Sequence, residues 1–486
     1  MRDIVAIEYA ENVKYPSGIE RVYPNKDYPE ITINHDKINK ENTIFEMVRN
    51  GFKLLELDKK NINTANWNPL GEYIKTGQKV LIKPNMVLDR NLGGFGEECL
   101  YTNPSIVSAV INYVWKALKE NGEIIVADAP VQDCDFEKLI ETSGYKNMIE
   151  YYKNKGVNIS LLDLRGLKSK HKNGTIIQEI SNTEGILVNL DEKSEHARLN
   201  NDELKNIRIT KYDPDELLKH HNENKHEYLI AKEVLEADVI INMPKPKAHR
   251  KAGVTGALKN FVGANVRKEY LPHHRLGDKN HNGDEYGKAS ILLIASSKLL
   301  DISNKFMKNK KHTCSKITKG ISKILSGFDK RFISKEKNRE GSWYGNDTIW
   351  RTIIDINKII KYADKKGVIQ DSIQRKVFNV GDMIIVGEKE GPMLPSPKYG
   401  GIIAMSEDIV LFDENIVTIM GFDINKIPTL KNVRNDKKYK LTDSLTHGKI
   451  ISNDDKWNNK GLSEIEKKNT LCIEPSSGWK GHIELE

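Results

Sequence analysis

Gln78-Lys79-Val80-Leu81-Ile82-Lys83-Pro84-Asn85 decides the fold: it is an apolar strand that stops abruptly in a polar turn, and a helix and further strands succeed it. From Pro104 to Leu118, Ile106, Val107, Val110, Ile111, Val114 and Leu118 recur at helical spacing. Asn103 is a good N-cap there, ahead of a proline at the first helical position. Glu123-Ile124-Ile125-Val126-Ala127 reads as the next strand, closed by Asp128-Ala129-Pro130, and Val157 to Leu162 as another. Strands apolar through both faces and alternating with helices predict an α/β chain, a mainly parallel or mixed sheet with helices on both faces. Chemistry in such sheets collects beyond the carboxyl ends of the strands, where Asn85, Asp128 and Asp163 fall.

Outward from this core, Met1 to Ile7 predicts a first strand and Thr43 to Leu57 a helix. The N-terminus lacks the basic start and apolar run of a secretion signal, and no window approaches the roughly 18 apolar residues of a membrane span. A cytoplasmic protein is expected. Residues 165–230 are a polar excursion with a hairpin at Gly174 to Ile180. Leu235 to Asn242 gives a helix end and a buried strand, and Gly341 to Lys361 a turn leading into a helix. Val380 to Val386, Gly401 to Met405 and Ile409 to Phe412 read as late strands. The expected organisation is an α/β core in two parts (1–297 and 341–430), a basic helical insert (298–340) and a polar C-terminal extension (431–486) able to wrap the core.

The chain's net charge of +8 is unevenly spread. Lys298 to Arg339 holds thirteen Lys/Arg against three Asp/Glu, a net of +10, so the remainder is slightly acidic. That distribution argues against a nucleic-acid partner and confines the basicity to one segment. Within it, Ile317, Ile321, Ile324, Leu325, Phe328 and Phe332 fall at helical spacing among lysines. This is the profile of a basic amphipathic helix on an anionic membrane or a partner, and equally of a helix packed on its own domain. The first reading implies a peripheral position at the inner membrane surface. Cys99, Cys134, Cys314 and Cys472 are scattered without a CxxC pair, which predicts reduced, mostly buried thiols and no iron–sulfur cluster.

The stretch richest in chemistry runs from Asn242 to Asn260. A buried strand feeds Pro244 and Pro246, then Lys245, Lys247, Arg250 and Lys251 surround His249. Gly253, Thr255 and Gly256 are expected to open an amphipathic helix carrying Lys259 and Asn260, whose N-terminal N–H groups would bind an anion. The GxxxxGK[ST] order of a Walker loop is absent. An ordinary loop with solvated lysines is the alternative. Gly341 to Arg351 clusters two tryptophans with Asn346, Asp347 and Arg351, either a stacking wall for a sugar or nucleotide or an aromatic-anchored helix cap. Glu388 and Glu390, with Glu407, Asp408 and Asp413 beside a later strand, are either acid/base groups or metal ligands, or else Glu388 and Glu390 are exposed carboxylates of a Gly-rich turn. His273 and His274 are candidate metal ligands or proton carriers, or plain surface histidines.

Taken in order, Val80 to Asn85, Thr102-Asn103-Pro104, Asp128-Ala129-Pro130, Pro244 to His249, Thr255 to Asn260 and Met420-Gly421-Phe422-Asp423 resemble the family known as domain of unknown function 362, over about residues 75–430. Many of its members carry a cysteine-rich ferredoxin-like tail, which this chain lacks. The Trp343 to Arg351 motif resembles a branch associated with polysaccharide gene clusters. A more distant similarity is to lactate racemase-like enzymes, which hold a nickel-pincer nucleotide on a lysine. That resemblance implies Lys259 as the cofactor lysine, His249 as acid/base and His273 or His274 as metal ligand, and leaves a divalent metal or metal–nucleotide cofactor open.

The expectation is an enzyme acting on a small anionic substrate, a hydroxy acid or sugar derivative, by racemase- or epimerase-like proton or hydride transfer. His249, Lys259 and Asp128 are the candidate catalytic residues. Lys83, Asn85, Lys245, Lys247, Thr255, Gly256, Asn260, Asn346 and Arg351 are the candidate anion-binding set. The competing expectation is a non-catalytic accessory protein for a phosphorylated or lipid-linked ligand.

Overall fold

Alternate residues of each central strand face two different cores. Leu81, Ile125, Ala127 and Ile240 belong to one cluster of buried side chains. Val80, Ile82, Ile124, Val126, Val239 and Ile241 belong to the other. The structure, a computed structural model, describes residues 2–172, 175–334, 336 and 338–486, and the side chains of those outside 170–178.

The ten-stranded sheet comprises Ile4–Tyr9 (β1), Lys79–Pro84 (β2), Glu123–Asp128 (β3), Ile159–Asp163 (β4), Val239–Met243 (β5), Lys247–His249 (β6), Gly253–Thr255 (β7), Lys376–Glu390 (β8), Leu394–Ser406 (β9) and Lys449–Ser452 (β10). Its main order is β10-β1-β9-β8-β5-β2-β3-β4. From β8 to β4 every neighbour is parallel. The β8–β9 and β9–β1 pairs are antiparallel, so the sheet is mixed. The helices that position the site are Ile44–Leu54 (α1), Pro104–Leu118 (α2), Ala257–Asn260 (α3), Ile291–Lys308 (α4), His312–Phe332 (α5), Ile349–Tyr362 (α6) and Ile409–Met420 (α7). Side chains of α1 and α2 fill one core and those of α6 and α7 the other, so helices cover both faces.

The structure departs from the sequence expectations in three places. Ile409 to Phe412 is the first turn of α7, because Asp408 accepts hydrogen bonds from the N–H groups of Val410 and Leu411 and starts a helix. The segment after Gly253 does not open a long helix; Gly253–Thr255 pairs back on Lys247–His249, and α3 is a single turn. Of the four thiols, Cys99 and Cys134 are buried while Cys314 and Cys472 are exposed. The expected hairpin is present as Leu167–Lys172 against Thr175–Ile180, although Gly174 lies outside the described residues.

The C-terminal extension does wrap the core. β10 adds a parallel edge strand to β1, and Trp457 and Trp479 are fully buried. Trp479 donates its indole N–H to the Arg250 carbonyl, so the tail clamps the loop that carries His249. No helix among the described residues is long and apolar enough to cross a membrane.

Candidate functional site

The carboxyl ends of β2, β3 and β5 bring Lys83, Asp128 and Asn242 together, and β6 continues beyond them with Lys247 and His249. A run of amide side chains crosses these ends. Asn242 donates to Asn379, Asn260 donates to Asn242, and Asn85 donates to Asn260, at 3.0, 2.8 and 3.1 Å. Lys247 Nζ then donates to Asn85 Oδ1 at 2.6 Å and to the Lys245 carbonyl at 3.0 Å. Each amide's orientation is fixed by its neighbour, so a rigid polar chain aims the Lys247 ammonium.

Three of the residues expected to bind an anion are already satisfied by the protein. Lys83 is buried and paired with Asp128 at 2.7 Å. The other carboxylate oxygen of Asp128 accepts the Met86 N–H, so Asp128, expected as a catalytic residue, anchors Lys83. Lys245 pairs with Asp382 at 3.0 Å and donates to the Tyr15 hydroxyl. The expected anion site at the start of α3 is filled by the chain itself. Asp413 accepts the N–H groups of Ala257 and Leu258, and a Cβ on Gly256 would meet its carboxylate.

What remains is a cluster of lysines with no carboxylate within ion-pair distance among the described residues: Lys247, Lys251, Lys259 and Lys268. Lys251 donates to Thr210 Oγ1 and Lys268 to the Ala129 carbonyl. Burial, together with Lys245, pulls the Lys247 ammonium down to about 7. Burial and the Lys251 charge bring Lys259 to about 8, and burial brings Lys268 to about 7. Lys251, Lys259, Lys268 and His273 nevertheless keep partial solvent exposure. They are hemmed in by protein yet reachable by water and line a recess, whereas Lys247 is fully buried, and screening moderates the charge repulsion among the exposed ones.

His249 lies among these charges. Its Nδ1 accepts the N–H groups of Lys251 and Ala252, both at 3.1 Å, which leaves the ring proton on Nε2. Burial, then Lys259, His273, Lys251 and Lys247, hold it well below the usual histidine range. His249 is therefore a neutral hydrogen-bond donor, not a base. Two buried polar atoms nearby, Thr255 Oγ1 and His274 Nδ1, have no hydrogen-bond partner among the described residues.

His273 Nδ1–H donates to the Leu271 carbonyl at 2.7 Å, which leaves the lone pair on Nε2, while Lys251 and Lys259 charge its surroundings positively and disfavour a cation there. Among the described residues no three His, Cys, Asp or Glu side chains group to hold a metal ion.

The second motif is structural. Asn346 Oδ1 accepts the N–H groups of Thr348 and Ile349, and its Nδ2 holds the His273 carbonyl, so it fixes the histidine strand. Arg351 bonds Asp347 and the Glu195 carbonyl and lies over Trp350, which is buried. Glu388 and Glu390 accept N–H groups of Glu474 and Ser477 in the C-terminal tail. Lys268 and Asp382 are site residues that the sequence does not mark, since nothing local distinguishes them from surface charges. A cavity of about 320 Å³ elsewhere, lined by Tyr73, Asn357, Arg375 and Glu407 among others, lies at the amino ends of the parallel strands, away from the lysines.

Residues 80–191 and 195–418 match the family described as Domain of unknown function (DUF362). The chain belongs to the DUF362 family. Asn85, Asp128, the lysine cluster and Asp413 all fall within the matched residues. This DUF362 chain is also similar to "Thylakoid-associated protein sll1697" of Synechocystis sp., at 24% identity over 213 residues, which is 44% of this chain and 47% of that protein. The match thus spans about half the length of that relative. A crystal structure of a protein from Thermotoga maritima covers 74% of this chain and 55% of its own, with 11% identity and a TM-score of 0.28.

Proposed function

We propose that the chain is an enzyme that draws a small anionic substrate, a hydroxy acid or sugar derivative, into the lysine recess and moves a proton on it. The observation that carries this reading is that Lys251, Lys259 and Lys268 line one recess with the fully buried Lys247 beside them, none of the four with a paired carboxylate among the described residues, next to two lysines that are neutralised. Unpaired buried cations are costly, and an anionic ligand offsets that cost. Lys259 and Lys251 hold the anion, with Thr255 and the His249 Nε2–H as directional donors, while Lys268, at about 7 like Lys247, is only partly charged near neutrality. Lys247, at about 7, is largely neutral just above neutrality and has the lone pair of a general base. It takes a proton from the carbon beside the anionic group; a C–H bond breaks, an N–H bond forms, and the carbanion rests against the neighbouring ammonium groups. A neighbouring ammonium, that of Lys259 or Lys251, returns a proton, so that an N–H bond breaks as the C–H bond re-forms; delivery to the opposite face inverts the centre.

The test is deuterium wash-in. The protein is incubated in D2O with candidate hydroxy acids and sugar acids, and exchange at the carbon next to the anionic group is followed by proton NMR. Exchange that disappears in Lys247→Met but persists in Lys288→Met, which changes a lysine outside the recess, supports the reading. Binding without exchange points to the second reading, a non-catalytic accessory protein for a phosphorylated or lipid-linked ligand, a carrier in polysaccharide metabolism. The name of the Synechocystis relative, a thylakoid-associated protein, favours this second reading.

A further inference from the structure

The helices α4 and α5 form an antiparallel hairpin whose seam is polar. Ser296 Oγ meets Ser322 Oγ at 2.9 Å, and Ser303 Oγ meets Ser315 Oγ at 2.9 Å. The Ser296 and Ser322 hydroxyls also bond each other's backbone carbonyls, both at 2.9 Å. The buried side chains of α5 are Ser315, Ser322, Ser326 and Asp329. Its apolar row points the other way: Ile317 is 58% exposed, Ile324 71%, Phe328 53% and Phe332 63%, with Ile321 also in solvent. A hairpin built for water buries such a row and exposes its serines. Close helix packing through small hydroxyl residues, with apolar side chains facing out, is the arrangement suited to lipid.

Attachment to the body is equally polar. Arg208 pairs with Asp301 at 3.0 Å, Lys305 with Asp215 at 2.6 Å and Lys308 with Glu216 at 2.7 Å. These contacts seat α4 and leave the apolar row of α5 unpacked. Exposed Lys316, Lys319, Lys323, Lys330 and Arg331 accompany the row, in the segment that carries the net +10. That charge selects a negatively charged apolar surface. We propose that the hairpin beds on an anionic bilayer, with α5 lying in the interface plane and its isoleucines and phenylalanines at the headgroup–acyl boundary. Each lysine at such a surface contributes roughly fivefold to affinity.

Flotation of the full chain with phosphatidylcholine vesicles, with and without phosphatidylglycerol, tests this independently of any activity. Co-flotation is expected only with the anionic vesicles. It should weaken as salt rises and the Debye length falls from about 10 Å at 0.1 M to about 3 Å at 1 M. Ile324→Asp and Phe328→Asp should abolish it, and Lys319→Glu with Lys323→Glu should weaken it by more than about tenfold, all with an unchanged melting temperature. Absence of flotation at low salt overturns the proposal. So does a dimer in sedimentation that Ile324→Asp splits, because a second copy would then cover the row.

Discussion

Gly256 and Asp413 are matched by contact: a Cβ built on Gly256 would stand 2.2 Å from Asp413 Oδ1. That carboxylate accepts the Ala257 and Leu258 N–H groups, and burial raises it to about 7. Gly256→Ala should therefore destabilise the fold by about 1–3 kcal/mol through overpacking. Asp413→Ala, which leaves two buried N–H groups without an acceptor, should cost a similar amount, about 1–3 kcal/mol. Urea unfolding measures both. Equal stability of Gly256→Ala and the parent would show that the chain's own carboxylate does not occupy this turn.

Lys83 and Asp128 form a buried pair whose loss is a stability effect before it is a functional one. Asp128→Ala leaves an ammonium alone in the interior and should cost about 3–5 kcal/mol. Adding Lys83→Met should recover most of that loss, since the stranded charge is then gone. If Asp128→Ala melts with the parent and only deuterium exchange suffers, Asp128 acts on the substrate and not as an anchor.

The lysine recess sets a pH dependence. Lys247, Lys259 and Lys268 have folded-state values of about 7, 8 and 7, below the ordinary lysine value. Above about pH 7 the unfolded chain binds more protons at these positions than the folded one, so stability should rise with pH toward the ordinary lysine value near 10.4. Anion binding needs the charged forms, so it should weaken over the same window, by up to about tenfold per pH unit for each lysine that must be charged. Calorimetric titration with phosphate and thermal melts on the same buffers give both slopes. Affinity that is flat from about pH 6.5 to about 9 would remove these lysines from the anion site.

Thiol labelling separates the cysteines. In the native protein a thiol reagent should modify Cys314 and Cys472 rapidly, with Cys99 and Cys134 reacting only on unfolding. Peptide mass analysis after brief labelling identifies the sites, and rapid native labelling of Cys134 would contradict its burial.

Much of the architecture is local in origin. Lys79–Pro84, Pro104–Leu118 and Glu123–Asp128 form where apolar periodicity and the Asn103 cap specify them, because strand and helix periods are written residue by residue. The Asn242–Asn260 stretch is likewise marked by its own prolines, glycines and lysines as the place where chemistry gathers. Which of its charges are free is a different kind of property. Lys83 and Lys245 look no different in sequence from Lys247 and Lys259. They are neutralised because Asp128 and Asp382 arrive from strands 45 and 137 residues away, and the helix start is filled by Asp413 from α7. Pairing depends on which elements the sheet order makes adjacent, and a buried charge is decided by its nearest counter-charge in space. The row from Ile317 to Phe332 shows the same division. Its helical spacing is local, but only the packing of serine on serine turned it away from the core.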